Sequence, residues 1–174
     1  MKNVWLLPIE AHEQRYTAQW LRHLPQQLEH AAADRGVDAR VIQIEGEMPS
    51  QTPTPGAFLD FAGTNVFKST QIADVARRFK QGEVQADDIF LFTDAWHPGV
   101  HQVRYMSALC EVPVWIVGLW HAGHYDPNDF LGRIPMKDAP WAQAMERALF
   151  EARLTMSAPS PRRPTSICSA RALV

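Results

Sequence analysis

Residues 89–99 read Ile-Phe-Leu-Phe-Thr-Asp-Ala-Trp-His-Pro-Gly, and residues 112–127 read Val-Pro-Val-Trp-Ile-Val-Gly-Leu-Trp-His-Ala-Gly-His-Tyr-Asp-Pro. Each stretch opens with a continuous apolar run and then changes to residues that carry polar groups. Continuous apolar runs are typical of strands buried on both faces of a parallel sheet. The two stretches therefore predict two neighbouring strands that deliver polar side chains to the same edge of a sheet.

The polar residues that follow these runs form the first candidate site, because ligands of open α/β sheets bind beyond the carboxyl ends of the strands. Asp94 is predicted to be catalytic, as a carboxylate base or as an acceptor that orients a ligand, and His97 is a candidate proton carrier near neutral pH. His121 could donate to developing negative charge or contact a substrate hydroxyl. The alternatives are structural: Asp94 could cap the helix that starts near Gly99, and a histidine at a strand end can be a satisfied core group.

The predicted substrate-binding residues are Glu10, Asp60, Asn65, Trp96, His97, Gly123, Tyr125 and Asp126. Glu10 follows the first strand, where it could contact a ligand or simply lie in a solvated loop. The side chains of Asp60 and Asn65, with those of the neighbouring Thr64 and Lys68, could bond a sugar or a base, or could hold a loop through local backbone bonds. Gly123 lacks a Cβ and so permits close approach of the backbone to a ligand.

The order of elements along the chain predicts an α/β fold. The predicted strands cover residues 4–8, 39–44, 89–92 and 112–119, and the predicted helices cover residues 16–35, 70–80, 99–109 and 139–154. Ser69 is the predicted cap of the second helix, residues 58–67 form a short mixed segment before it, and Pro25 is expected to kink or split the first helix. This alternation indicates a Rossmann-like parallel sheet with helices on both faces, as a single domain over residues 1–154. The tail, residues 155–174, is rich in Pro, Ser and Arg and is predicted to be disordered.

Composition and missing motifs exclude several classes of protein. A formal net charge of -2 supplies no overall basic field for nucleic acid. The two cysteines, Cys110 and Cys168, are read as free thiols, and no run approaches the ~20 apolar residues of a membrane span, which together predict a cytoplasmic protein without a membrane partner. The sequence lacks a Gly-x-Gly-x-x-Gly fingerprint, a phosphate-binding loop and a Gly-x-Ser-x-Gly elbow, which argues against a dinucleotide enzyme, an NTPase and a serine hydrolase. The histidine and aspartate spacing after the fourth strand matches no standard metal motif, so no metal is predicted.

Several separated motifs resemble the N-terminal half of glycosyltransferases of the GT-B fold, a family with members in bacteriophages. The resemblance spans roughly residues 1–152 and is carried by residues 8–10, 15–20, 58–60, 64–65, 82–84, 88–90, 94–99 and 121–131. It is strongest in Asp-Ala-Trp-His-Pro-Gly at 94–99 and in His-Ala-Gly-His-Tyr-Asp-Pro-Asn-Asp-Phe-Leu at 121–131. The resemblance implies a Rossmann-like half that binds the acceptor, with His121 near the transferred sugar and with Asp94 and Glu10 facing the same cleft.

The resemblance also implies a reaction, the transfer of a sugar from a nucleotide-sugar donor to an acceptor such as a modified DNA base. No cofactor is expected, because the nucleotide sugar is a co-substrate. At 174 residues the chain has no room for the donor-binding half, so transferase activity is expected to need a partner chain that supplies it. The exposed cleft face is a candidate interface for a homodimer or for a partner chain. The alternative is a non-catalytic, truncated Rossmann-like binding module.

Overall fold

The structure is a computed structural model, and it describes residues 1–11, 16–48, 60–121, 123, 126, 128 and 140–154, without the side chains of residues 16, 153 and 154. The strands are β1 (Lys2–Leu7), β2 (Ala39–Gln43), β3 (Ile89–Phe92) and β4 (Trp115–Gly118). The helices are α1 (Tyr16–Ala33), α2 (Phe61–Gln81), α3 (Gly99–Leu109) and α4 (Pro140–Leu154). The predicted tail, residues 155–174, lies outside the described residues.

The four strands form one parallel sheet in the order β2-β1-β3-β4. In register, Leu7 pairs with Phe92, and Phe92 pairs with Gly118, so the carboxyl ends of β1, β3 and β4 are level. From β1 the chain crosses to β2 on one side, whereas β3 lies on the other side of β1. The carboxyl ends of β1 and β3 therefore flank the topological switch point, which is where open α/β sheets bind ligands.

Helices cover both faces of the sheet, which confirms the predicted α/β architecture. On one face, α1 packs Leu24 and Leu28 against the small cluster of Val4, Leu6 and Leu91. On the other face, α2, α3 and α4 pack against the larger core, whose buried members include Trp5, Phe90, Phe92, Val75, Val103 and Leu149. The larger core covers β1, β3 and β4. Trp96 and Trp120, in the loops that follow β3 and β4, pack against it and so hold those loops in place.

The second helix starts eight residues before its predicted cap, so the prediction of Ser69 as N-cap is wrong. Asp60 caps α2, because its Oδ1 accepts hydrogen bonds from the backbone N–H groups of Ala62 at 3.1 Å and Gly63 at 3.0 Å. The first two turns bury Thr64 and Lys68 on the inward face of the helix. Polar residues at these buried positions interrupt the apolar periodicity from which a helix is predicted.

Pro25 does not split α1, which is one helix from Tyr16 to Ala33. A proline inside a helix removes the N–H that would bond the carbonyl four residues earlier, and here that carbonyl belongs to Leu21. The side chain of Gln43 from β2 donates to the Leu21 carbonyl at 3.0 Å. A neighbouring strand thus supplies the hydrogen bond that the proline removes, which is the physical reason that the helix continues.

The prediction that the fourth strand is buried on both faces is also wrong. Among the described residues β4 is an edge strand of only four residues, and it buries Ile116 on the side of α3 and α4. Trp115 and Val117 point to the other face and are 41% and 45% exposed. The helix on that face, α1, packs against an apolar cluster from β1, β2 and β3, and no described residue of β4 belongs to that cluster.

Candidate functional site

The loops at the carboxyl ends of β1, β3 and β4 are held side by side by hydrogen bonds that continue past the strands. The backbone N–H of Ile9 donates to Thr93 Oγ1 at 3.0 Å, and the N–H of Ala95 donates to the Leu119 carbonyl at 2.8 Å. We call this edge the polar rim and define it as Glu10, Lys68, Thr93, Asp94 and His121. The structure thus places Glu10, Asp94 and His121 just beyond the carboxyl ends of three adjacent strands.

Asp94 is paired with Lys68 of α2. Lys68 Nζ lies 2.9 Å from Asp94 Oδ2 and 3.3 Å from the Trp96 carbonyl oxygen, and the Trp96 N–H donates to Asp94 Oδ1 at 3.0 Å. Burial by itself would raise the pKa of Asp94, but the Lys68 ammonium and the hydrogen bonds outweigh it, so the pKa lies below its ordinary value. A carboxylate held ionised in this way is a weak base and a good hydrogen-bond acceptor. The geometry therefore favours the orienting role for Asp94 over the role of general base.

His97 belongs to a buried polar network centred on Gln71. The Gln71 Nε2 amide donates to the carbonyls of Pro8 and Ile44, both at 2.8 Å, and so joins the ends of β1 and β2. The Gln71 Oε1 then accepts from His97 Nε2 at 3.0 Å, while His97 Nδ1 accepts from the Gly99 N–H at 2.9 Å. These partners assign the proton of the neutral ring to Nε2, because a backbone N–H at Nδ1 can only donate.

The expectation that His97 carries protons near neutral pH is therefore wrong. Burial, together with the Lys68 charge, lowers the pKa of His97 to about 3, and the opposing effect of Asp94 is smaller. Both ring nitrogens are occupied, and the side chain is buried. His97 fixes the turn into α3 by accepting from the Gly99 N–H. The Asp94 carboxylate bonds Lys68 and the Trp96 N–H, and among the described residues the N-cap position of α3 has no side-chain cap.

His121 is anchored to the residue that precedes Asp94. Its Nε2 lies 2.6 Å from the Thr93 carbonyl oxygen, and its ring stands 5.3 Å from the Trp20 ring of α1, measured between centroids. A carbonyl oxygen can only accept, so Nε2 carries the proton. The side chain is exposed at the rim. This bond links the ends of β3 and β4 and sets the direction in which the imidazole meets a ligand.

Glu10 lies at the carboxyl end of β1 and is 5% exposed. Its backbone carbonyl accepts from Thr17 Oγ1 at 3.5 Å. Within the part of the chain that the structure describes, its carboxylate makes no hydrogen bond or ion pair. Buried carboxylates normally have partners, so Glu10 has acceptor capacity left for a ligand hydroxyl or amine.

Three other predicted binding residues have structural partners. Asp60 caps α2, and Asn65 Nδ2 donates to the Phe61 carbonyl at 2.7 Å within the first turn of that helix. Trp96 donates its indole N–H to Glu146 Oε1 of α4 at 2.7 Å. Asp60 and Asn65 thus follow the alternative in which they bond the local backbone, and Trp96 ties the loop after β3 to the last helix.

The segment after His121 is described only in part. The Asp126 N–H donates to the Gly123 carbonyl at 3.1 Å, and Asp126 Oδ1 accepts from the Asn128 N–H at 2.8 Å. Gly123 is buried and Asp126 is half-buried. Tyr125, also predicted to bind substrate, lies outside the described residues. Asp126 therefore shapes a turn near the rim.

Two cavities flank the polar rim. The smaller one, of about 10 Å³, lies at the switch point and holds about one water. Its lining consists of Leu6, Pro8, Ile9, Thr17, Trp20, Leu21, Leu24 and Thr93. The larger one, of about 540 Å³, lies beyond the end of β4 and is lined by Trp120, Glu146, Arg147 and Phe150. Among the described residues, the cavity at the switch point thus has room for about one water, and the larger cavity lies on the β4 side of the rim.

Gln71 was not predicted to belong to the site, and Lys68 was considered only among the polar side chains of residues 60–68 that could bond a sugar or a base or hold a loop. Both lie on the stripe of α2 that also carries Thr64 and Val75, at spacings of three and four residues. A polar side chain on such a stripe must find a buried partner, because an unpaired one costs about 1–3 kcal/mol. The spacing alone therefore indicated that Lys68 and Gln71 are buried. It did not indicate their partners, which lie far away in the sequence.

Among the described residues, no three His, Cys, Asp or Glu side chains come close enough to hold a metal ion, and no helix is long and apolar enough to cross a membrane. Comparison of the chain with protein-family models, curated proteins and solved structures finds no match.

Proposed function

We propose that this chain is the acceptor-side domain of a GT-B-type glycosyltransferase and that the polar rim binds a hydroxyl-bearing acceptor. The observation that carries the proposal is the bond from His121 Nε2 to the Thr93 carbonyl, directly beside Asp94. It holds an exposed imidazole at the end of β4 against the backbone of the residue that precedes Asp94, whose carboxylate is paired with Lys68. In the sequence resemblance, this histidine is the one expected near the transferred sugar.

The charges of the rim support a polyol rather than a phosphate as the ligand. Glu10 and Asp94 are both carboxylates, and the Lys68 ammonium is already bonded to Asp94. Carboxylates accept hydrogen bonds from sugar hydroxyls and repel phosphate. In the proposed reaction Glu10 and Asp94 orient the acceptor, and His121 contacts the sugar or stabilises developing negative charge. The nucleotide-sugar donor binds to a second Rossmann-like domain.

The test is a thermal-shift screen of the full chain against UDP-, GDP- and ADP-sugars and against acceptors (simple glycosides and nucleosides), followed by hydrolysis and transfer assays. We expect a shift with an acceptor class, and a loss of that shift in His121→Ala and in Asp94→Asn. The matched controls are His30→Ala, an exposed histidine in the last turn of α1, and Asp87→Asn, an exposed partner of Lys2 at the other end of the sheet.

The proposal fails if acceptors produce no shift, or if both rim variants bind like their controls. A thermal shift with a nucleotide sugar, together with turnover by the chain alone, would contradict the proposal that acceptor and donor bind to two different domains. The second candidate, a non-catalytic binding module, is favoured by the exposed Trp115 and Val117 on β4. It predicts ligand binding or self-association without transfer, which sedimentation velocity and the transfer assay separate.

A further inference from the structure

The larger cavity lies between the end of β4 and α4, outside the polar rim. We define the aromatic cavity by its lining residues, Trp120, Glu146, Arg147 and Phe150. Its volume of about 540 Å³ falls within the range of about 300–1,000 Å³ that is usual for small-molecule sites. The cavity is therefore large enough for a ring system with a substituent.

Two aromatic side chains form walls of this cavity. Trp120 is half-buried and packs against the larger core, which holds its indole in place. Phe150 lines the cavity and is 54% exposed. Aromatic faces of this kind bind flat rings by stacking, and they do so with little preference among the rings.

The polar residues of the cavity differ in their environment. Glu146 is buried, and its Oε1 accepts from the Trp96 indole N–H at 2.7 Å, so it faces the loop after β3. Arg147 is exposed, and within the described part of the chain its guanidinium makes no ion pair or hydrogen bond. An arginine beside aromatic walls suits an anionic group, because its planar fork bonds phosphate or carboxylate oxygens.

We propose that the aromatic cavity binds a planar aromatic ring that carries an anionic group, as a nucleoside monophosphate does. The ring stacks between Trp120 and Phe150, and the anion meets Arg147. The cavity would take this ligand whether or not the chain takes part in sugar transfer, because none of its lining residues belongs to the polar rim.

The test is isothermal titration of the full chain with AMP, adenosine and inorganic phosphate. We expect AMP to bind more tightly than adenosine, and phosphate alone not to bind. Phe150→Ala should weaken AMP and adenosine about fivefold or more, the usual loss of one stacking partner. Trp141→Ala is the matched control, because Trp141 is on the same helix and is 57% exposed but does not line the cavity.

Arg147→Gln distinguishes the contribution of the ring from that of the anionic group. It should lower the affinity for AMP to that for adenosine, and it should leave the affinity for adenosine unchanged. Absence of binding by AMP and adenosine at millimolar concentration, or an equal effect of Phe150→Ala and Trp141→Ala, would overturn the proposal. Equal binding of AMP and adenosine by the unmodified chain would overturn the anionic part of it. A thermal shift that survives Asp94→Asn but is lost in Phe150→Ala belongs to the aromatic cavity and not to the polar rim.

Discussion

Lys68 Nζ lies 2.9 Å from Asp94 Oδ2, and the two side chains are only 11% and 23% exposed. The pair joins the inner face of α2 to the loop after β3, across 26 residues of sequence. Lys68 also donates to the Trp96 carbonyl, so one ammonium holds both ends of a short turn. The position and the charge of the Asp94 carboxylate therefore depend on a residue of another element.

Replacing Lys68 with methionine should leave Asp94 as an uncompensated, largely buried carboxylate. We expect the free energy of unfolding at neutral pH to fall by about 3 kcal/mol, as for other buried pairs that lose one partner. Urea unfolding monitored by circular dichroism measures it. Lys80→Met, at an exposed position near the end of the same helix, is the control and should change stability by less than about 0.5 kcal/mol.

Lys68→Met should also reverse the way in which the free energy of unfolding depends on acid pH. The folded pKa of Asp94 lies below its ordinary value of 3.8, so the pair contributes stability above that value and loses it as the pH falls through the folded pKa. Without Lys68 the effect of burial remains and raises the pKa, so lowering the pH should then recover stability. If the free energy of unfolding changes in the same way from neutral to acid pH in the variant and in the unmodified protein, this account of Asp94 is contradicted.

His97 should not titrate in the neutral range. Because its pKa falls from 6.5 in the unfolded chain to about 3 in the folded protein, the unfolded state binds more protons between these values. Stability should therefore decrease as the pH falls from about 6.5, by up to about 1.4 kcal/mol per pH unit from this one group. NMR of the imidazole signals, assigned with His97→Gln, provides the check. An inflection for His97 between about pH 8 and pH 5 would rule out the buried neutral ring.

Gln71→Leu should destabilise the protein strongly, although it replaces a polar side chain with an apolar one of similar size. The carbonyls of Pro8 and Ile44 and the Nε2–H of His97 would all lose their partner. At about 1–3 kcal/mol for each buried unsatisfied group, we expect a loss of at least about 3 kcal/mol in urea unfolding. Gln81→Leu, exposed at the end of α2, is the matched control. Equal stabilities of the two variants would mean that the network does not hold the strand ends.

The two faces of β4 should respond differently to the same kind of substitution. Ile116→Thr places a hydroxyl in the larger core and should cost about 2 kcal/mol or more. Val117→Thr, on the face that is 45% exposed, should cost less than about 0.5 kcal/mol, because threonine suits a strand and the side chain is hydrated there. Thermal unfolding of both variants measures the difference. A large loss for Val117→Thr would show that another surface covers this face.

The parts of the fold that follow from local periodicity were predictable. The apolar run of β3, the stripe of α1 through Leu24 and Leu28, and the alternation of strands and helices all appear in the sequence, and the parallel sheet confirms them. Elements whose pattern depends on distant partners were not predictable. The start of α2 was not predicted because Thr64 and Lys68 interrupt its apolar stripe. The exposed face of β4 was not predicted because an apolar run does not show which strands a helix covers.

The sequence by itself determined that Glu10, Asp94 and His121 follow the ends of three strands, because burial stops where an apolar run changes to polar residues. Only the tertiary structure decided what those residues can do. Strand order set the ends of β3 and β4 side by side, so that His121 meets the Thr93 carbonyl. Packing of α2 gave Asp94 a cation and gave His97 two fixed hydrogen bonds. Charge state and tautomer depend on partners that lie close in space but far apart along the chain, and a linear pattern does not contain them.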